Sequence, residues 1–106
     1  MLDQALRALA EPRRRDILVL IQHSERPAGE IASHFEVTRP AISQHLGVLV
    51  RSGLVSVRRD RTRLLYRARP EGLAEVMEYL ERFWDRSLQN LKEAAEAEEK
   101  RRGNQK

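Results

Sequence analysis

Apolar residues recur at helical spacing along most of this chain and at a two-residue spacing over one short arginine-rich stretch. Leu2, Leu6 and Leu9 share one side of a first helix, which should stop near Ala10 because Pro12 interrupts the pattern. Pro12 then fits the first turn of a second helix, with Ile17, Leu18, Leu20 and Ile21 as its apolar side and Glu11 at its positive end. Ser24 to Ala28 reads as a polar connection around Pro27. Ile31, Ala32 and Phe35 return to helical spacing in a third, short helix, and only Glu36 and Val37 separate it from a fourth.

The fourth helix organises the rest. Thr38 can cap it, Pro40 suits its first turn, Ile42, Leu46 and Leu49 point to a core, and Gly53 supplies an inexpensive left-handed stop. The helix is predicted from Arg39 to about Ser52. At about 100° per residue, Pro40, Ser43, Gln44, Gly47 and Arg51 fall opposite Ile42 and Leu46, with Arg39 at the amino end. That hydrogen-bonding, basic face suits the DNA major groove, which admits a helix and offers groups that Gln and Arg can read. An ordinary solvated face would carry the same residue types. Two short helices joined by a tight turn, however, form a helix-turn-helix, a layout that a DNA reader needs and no catalytic arrangement requires.

Beyond Gly53, Val55 and Val57 alternate with polar residues, and Leu65 and Tyr66 resume the β pattern, which predicts a two-stranded hairpin with its tip near Asp60 and Arg61. Pro70 and Glu71 open a long last helix. Its stripe of Leu73, Val76, Met77, Leu80, Phe83, Trp84, Leu88, Leu91, Ala94 and Ala95 is longer than a small domain can cover alone. Leu73, Met77 and Leu80 are expected in the core, with Phe83 and Trp84 anchoring self-association. From Glu98 the chain has no apolar face, so residues 98–106 are expected to fray or be disordered, leaving one domain over 1–97. The predicted fold is mainly α with a small β-hairpin, a winged helix-turn-helix in the order ααααββα.

Charge sharpens this picture. The chain has 106 residues and a formal net charge of +4, a modest hint of a polyanionic partner. Bases and acids cancel over residues 1–50, whereas residues 51–70 hold Arg51, Arg58, Arg59, Arg61, Arg63, Arg67 and Arg69 against Asp60 alone. Guanidinium groups on a hairpin grip phosphate, which makes it a wing; a charged edge that only blocks sheet aggregation would not demand a single sign. Arg13, Arg14 and Arg15 either reach phosphate or, as short charge runs usually do, stay solvated or pair with nearby acids. With no cysteine, thiolate metal sites, disulfides and thiol catalysis are excluded. His23, His34 and His45 lie on different segments and do not form a ligand set, and no run is long enough to span a membrane, so a cytoplasmic protein without metal or cofactor is expected.

These stretches together resemble the ArsR family of bacterial winged-helix repressors. The matching segments are LRALAEPRRRDIL, GEIASHFEVTRPAISQHLGVLVRSGLV and VRRDRTRLLYRA, followed by a helix containing FW, and they span roughly Leu6 to Leu91. The resemblance implies a homodimer held by the first and last helices, through Leu2, Leu6, Leu80, Phe83, Trp84, Leu88 and Leu91, and bound to double-stranded operator DNA. By position it implies DNA contacts from Thr38, Arg39, Pro40, Ser43, Gln44 and His45 on the helix and from Arg59, Arg61 and Arg63 on the wing. The lack of cysteine, and of histidine after His45, sets the chain apart from the metal-sensing members and aligns it with the metal-independent branch. Gly47 stands where the family often has lysine. The alternatives are a sensor whose effector sits at the dimer interface and a protein-interaction module that binds an acidic partner. An enzyme is the least favoured class, because serines and histidines are not grouped in any catalytic arrangement.

Overall fold

The computed structural model describes residues 2–103, the side chains of 83–88 excepted. Its elements run α1 Leu2–Leu9, α2 Pro12–Leu20, β1 Arg26–Pro27, α3 Ala28–Ser33, α4 Arg39–Arg51, β2 Val55–Asp60, β3 Arg63–Ala68 and α5 Pro70–Gly103. The helices and hairpin expected from apolar spacing are therefore present. One strand was not foreseen: Arg26 and Pro27 pair antiparallel with Tyr66 and Leu65, making a three-stranded sheet in the order β1-β3-β2. Proline tolerates that place because β1 is an edge strand, where a missing N–H leaves no ladder bond unmade inside the sheet.

The chain divides into two compact units, residues 1–76 and 77–106. In the first, Ile17, Ile21, Ile31, Ile42, Leu46, Leu49 and Leu54 are fully buried, joined by Ala5, Ala8, Val55, Leu65 and Ala68 from the flanking elements. Two backbone bonds close it: Ala68 N–H donates to Ile21 O at 3.1 Å and Arg69 N–H to Leu54 O at 2.8 Å. The opening turn of α5 comes hard against the α4–β2 turn, since a Cβ on Gly72 would overlap the Gly53 carbonyl. Among the described residues of α5, Val76 and not Met77 is buried: Val76 is 6% exposed and Met77 55%, because the helix phase set at Gly72 turns position 76 inward.

In the second unit α5 continues to Gly103 with Leu91 63% exposed. The helix thus runs past Glu98, where fraying was expected. Glu98 accepts from Arg101 at 2.9 Å and pairs with Arg102 at 3.6 Å, the i,i+3 and i,i+4 contacts that support a helix without an apolar face. Of the residues assigned to a dimer contact, Leu2, Leu6 and Leu80 are half-buried, and the side chains of Phe83, Trp84 and Leu88 lie outside the described residues.

Candidate nucleic-acid interface

Local chemistry positions α4 well. Thr38 sits in extended backbone and its Oγ1 accepts from Ala41 N–H at 3.3 Å, Pro40 occupies the first turn, and Gly53 takes a φ of 81° just past the helix. With Ile42, Leu46 and Leu49 buried, Pro40, Ser43, Gln44 and Arg51 are exposed and Gly47 is partly so. The face expected to read DNA is therefore the face left open.

His45 is placed differently. It is half-buried, with Nδ1 3.4 Å from Arg14 Nη1. Arg14 also donates from Nε to Ala8 O at 2.7 Å and from Nη2 to Arg7 O at 3.2 Å, so it ties carbonyls near the end of α1 to α4. Arg15 Nη1 donates to Leu9 O at 2.7 Å, and the Arg13 guanidinium lies 4.9 Å from the Phe35 ring centroid. All three arginines of that run have partners within the fold, carbonyls and aromatic rings rather than acids, and Arg15 is exposed to solvent as well. Unpaired carbonyls at a helix end attract cations, which explains why this sequence needs basic residues just after α1.

The wing is a tight hairpin in which Asp60 pairs with Arg63 around Arg61 and Thr62. Arg61 has a φ of 60°, a positive value that no other non-glycine among the described residues adopts. Such a conformation costs a side chain about 1–2 kcal/mol and persists only where surroundings impose it. In the register of the hairpin Arg59 is opposite Leu64 and Arg58 opposite Leu65, so the pleat sends Arg59 to one face, Arg58 and Arg63 to the other, with Arg61 at the tip. Arg58 is not free to leave: its Nε donates to Glu25 Oε2 at 2.8 Å and Oε1 at 3.0 Å, and its Nη2 also meets that carboxylate. This forked contact holds the Glu25 carboxyl below its usual range and raises the Arg58 guanidinium further above its own. Arg63 lies 4.0 Å from Asp60, whereas Arg59, Arg61 and Arg67 make no side-chain ion pair or hydrogen bond among the described residues.

Helix and wing meet at one groove of about 390 Å³, lined by Arg39 and Ser43 of α4, by Thr62, Arg63, Leu64 and Tyr66 of the wing, and by Pro27, Ala28 and Gly29. Arg39 reaches it across α3, where a Cβ on Gly29 would be 3.8 Å from the Arg39 Cζ. Thr62 and Tyr66 are not among the site residues expected from the sequence, where Tyr66 enters only through the β pattern. Nothing local marks them, because their place at the groove depends on pairing with β1 and on the docking of α4. Among the described residues no cluster of three His, Asp or Glu could hold a metal ion, and no helix is long and apolar enough to cross a membrane.

This arrangement, a capped helix with an open polar face beside an arginine-tipped hairpin, matches known proteins along most of its length. Residues 11–57 match the model of the bacterial regulatory proteins of the arsR family. An HTH-type transcriptional regulator of Mycobacterium tuberculosis is 41% identical over 96 residues, covering 91% of this chain and 90% of that protein. The chain belongs to the ArsR family. The transcriptional repressor SdpR of Bacillus subtilis is 28% identical over 85% of the chain and 100% of its own length. Among solved structures, the homodimeric winged helix-turn-helix DNA-binding domain from Mycobacterium bovis superposes with a TM-score of 0.64 at 32% identity, covering 78% of this chain and 77% of that one. The fold of this ArsR-family chain is a winged helix-turn-helix, as its apolar spacing predicted.

Proposed function

We propose that this chain is a homodimeric transcriptional repressor that binds an inverted-repeat operator in double-stranded DNA, in the bacterial cytoplasm, and acts by binding rather than by catalysis. The observation that carries the reading is the shared groove: Arg39 and Ser43 of the helix and Thr62 and Arg63 of the wing face one space. A duplex backbone running along it would be held from two sides. Gln44 and Arg39 supply donors and acceptors suited to base edges, while Thr38, Pro40 and Ser43 seat the amino end of α4. Arg59 and Arg63, leaving the wing on opposite faces with Arg61 between them, suit a hairpin lying along a groove with a phosphate strand on each side. His45 acts from beneath, through Arg14, rather than by touching bases.

The dimer rests on the apolar stripe of α5 with Leu2 and Leu6 of α1. Met77 and Leu91, 55% and 63% exposed, leave the described part of the α5 stripe uncovered in a single copy, which suits a second apolar helix. SdpR is a repressor and the Mycobacterium bovis domain is homodimeric, and both support extending these properties to this relative.

Selection of bound fragments from a random-duplex pool tests the reading. A palindrome with half-sites about 34 Å, one helical turn, apart is expected. Gln44→Ala should relax base preference at one position of each half-site by a penalty of about 1–3 kcal/mol while leaving the salt dependence alone. Enrichment of no sequence at all, or unchanged preference in Gln44→Ala, would remove the helix face from its assigned role.

A further inference from the structure

The carboxyl end of α4 carries a second cationic feature, away from the groove beneath the wing. Arg51 is exposed and doubles back along its own helix: a Cβ built on Gly47 would lie 3.2 Å from Arg51 Nη1 and 3.9 Å from its Cζ and Nη2. A larger side chain at position 47 would occupy that space, so glycine leaves room for the guanidinium to lie over the face that carries Ser43 and Gln44. Arg51 also lines a cleft of about 200 Å³, together with Val48 and Ser52 of α4 and with Gln4 and Arg7 of α1. The Ser52 hydroxyl is committed, donating to Leu49 O at 2.9 Å. Gln4 and Arg7 are exposed, and among the described residues neither the Arg7 nor the Arg51 guanidinium makes an ion pair or hydrogen bond. Two arginines and a glutamine lining one small cleft bring many donors and no charge to answer theirs, which is the chemistry that recognises a phosphate oxyanion.

We propose that Arg7 and Arg51, with Gln4 lining the same cleft, form a phosphate clamp that takes the DNA backbone at the end of α4 away from the wing tip. The assignment rests on the DNA-binding reading above. It adds α1 to the DNA-facing surface and makes Gly47 and Arg51 a single device, in which the gap at one position lets the long side chain from the next turn fill it. A clamp on phosphate carries no sequence information; it fixes the register of the helix in the groove from its second end.

The test is the salt dependence of full-chain binding to a random-sequence duplex, for the wild type and for Arg7→Ala, Arg51→Ala, the double variant and Arg61→Ala on the wing. Removing one phosphate ligand from the protein lowers the log–log slope by about 0.9, so each single variant should lose about 3.5-fold less affinity than wild type between about 50 and 200 mM salt, and the double variant should lower the slope by about twice as much. The operator sequence selected should be unchanged. Thermal melts confirm folding, and Arg7→Gln and Arg51→Gln replace the alanine variants if those unfold. Wild-type slopes in both arginine variants, with a lowered slope in Arg61→Ala, would overturn the clamp and leave the wing standing. A slope that none of the variants alters would overturn the DNA-binding reading and the clamp with it. Inorganic phosphate, titrated at constant ionic strength, separates the two sources of phosphate. A saturable rise in melting temperature that the double variant abolishes, with wild-type DNA slopes, would make the cleft a site for a free anion and overturn the backbone contact.

Discussion

Gly72→Ala tests how the start of α5 is seated on the reading head. In an open helix that change stabilises by up to about 1 kcal/mol, because alanine is the better helix former. Here the new Cβ would overlap the Gly53 carbonyl oxygen and lie 3.0 Å from its carbon and 3.3 Å from Leu54 Cα. Carbon atoms rest about 3.5–4.0 Å apart, so a shift of about 0.5–1 Å is required, and the obstructing atoms are backbone rather than a flexible side-chain end. The same turn is already held: Leu54 O accepts from Arg69 N–H at 2.8 Å, and Gly53 O from Arg69 Nη1 at 3.2 Å. Overpacking of this kind costs about 1–3 kcal/mol, and the rigid surroundings place it in the upper half, about 2–3. Set against the propensity gain, the net loss is about 1–2 kcal/mol. At about 4–8 °C per kcal/mol for a domain of this size, melting followed by circular dichroism at fixed protein concentration should fall by about 5–15 °C. Gly103→Ala, where the added Cβ meets nothing within 4 Å, is the control and should leave the melt unchanged or slightly raised. A Gly72→Ala protein that melts at or above wild type would refute the close approach and, with it, the helix phase that buries Val76.

Two further outcomes follow from the wing. Arg61→Gly relieves the φ of 60° at the tip, so thermal stability should hold within about 1 kcal/mol or improve, while the salt slope of DNA binding drops by about 0.9; a stability loss alongside unaltered binding would reverse both assignments. Glu25 has its carboxyl lowered by the bond from Arg58, so its contribution is present above the ordinary value near 4.5 and is lost as pH falls through the lowered one. Glu25→Gln should therefore lower the melting temperature slightly at neutral pH, with the gap from wild type closing as pH falls below about 4.5, so that the acid limb is flatter; an acid limb identical to wild type would show that the pair does not couple to folding.

Much of this was legible in the chain because the decisive signals are local. The Thr38 cap, Pro40, the i, i+4, i+7 spacing of Ile42, Leu46 and Leu49, and Gly53 lie within one short stretch, and the open face of α4 follows from them by helix geometry alone. What escaped depends on residues far apart in sequence. The two-residue strand at Arg26 exists only because Tyr66 pairs with it, and Arg58 is withdrawn from the wing only because Glu25 lies beside it. The contact between the His45 ring and Arg14 joins two helices and has no local signal in the chain. Gly72 carries no signal of its own: a glycine in a first turn is unremarkable until a second backbone is found against it. The continuation of α5 beyond Glu98 rests on charge pairs, which an apolar pattern does not register.

Arg14 gives the molecule a property beyond its static contacts. With Ile42, Leu46 and Leu49 fully buried and the Arg14 guanidinium linking His45 to carbonyls of α1, the rotation of α4 about its own axis is settled before any duplex arrives. Encounter then demands little ordering of the protein, and a mismatched site cannot be accommodated by letting the helix roll. Discrimination should accordingly be felt in residence time: wrong sequences are met as often as right ones and are released sooner.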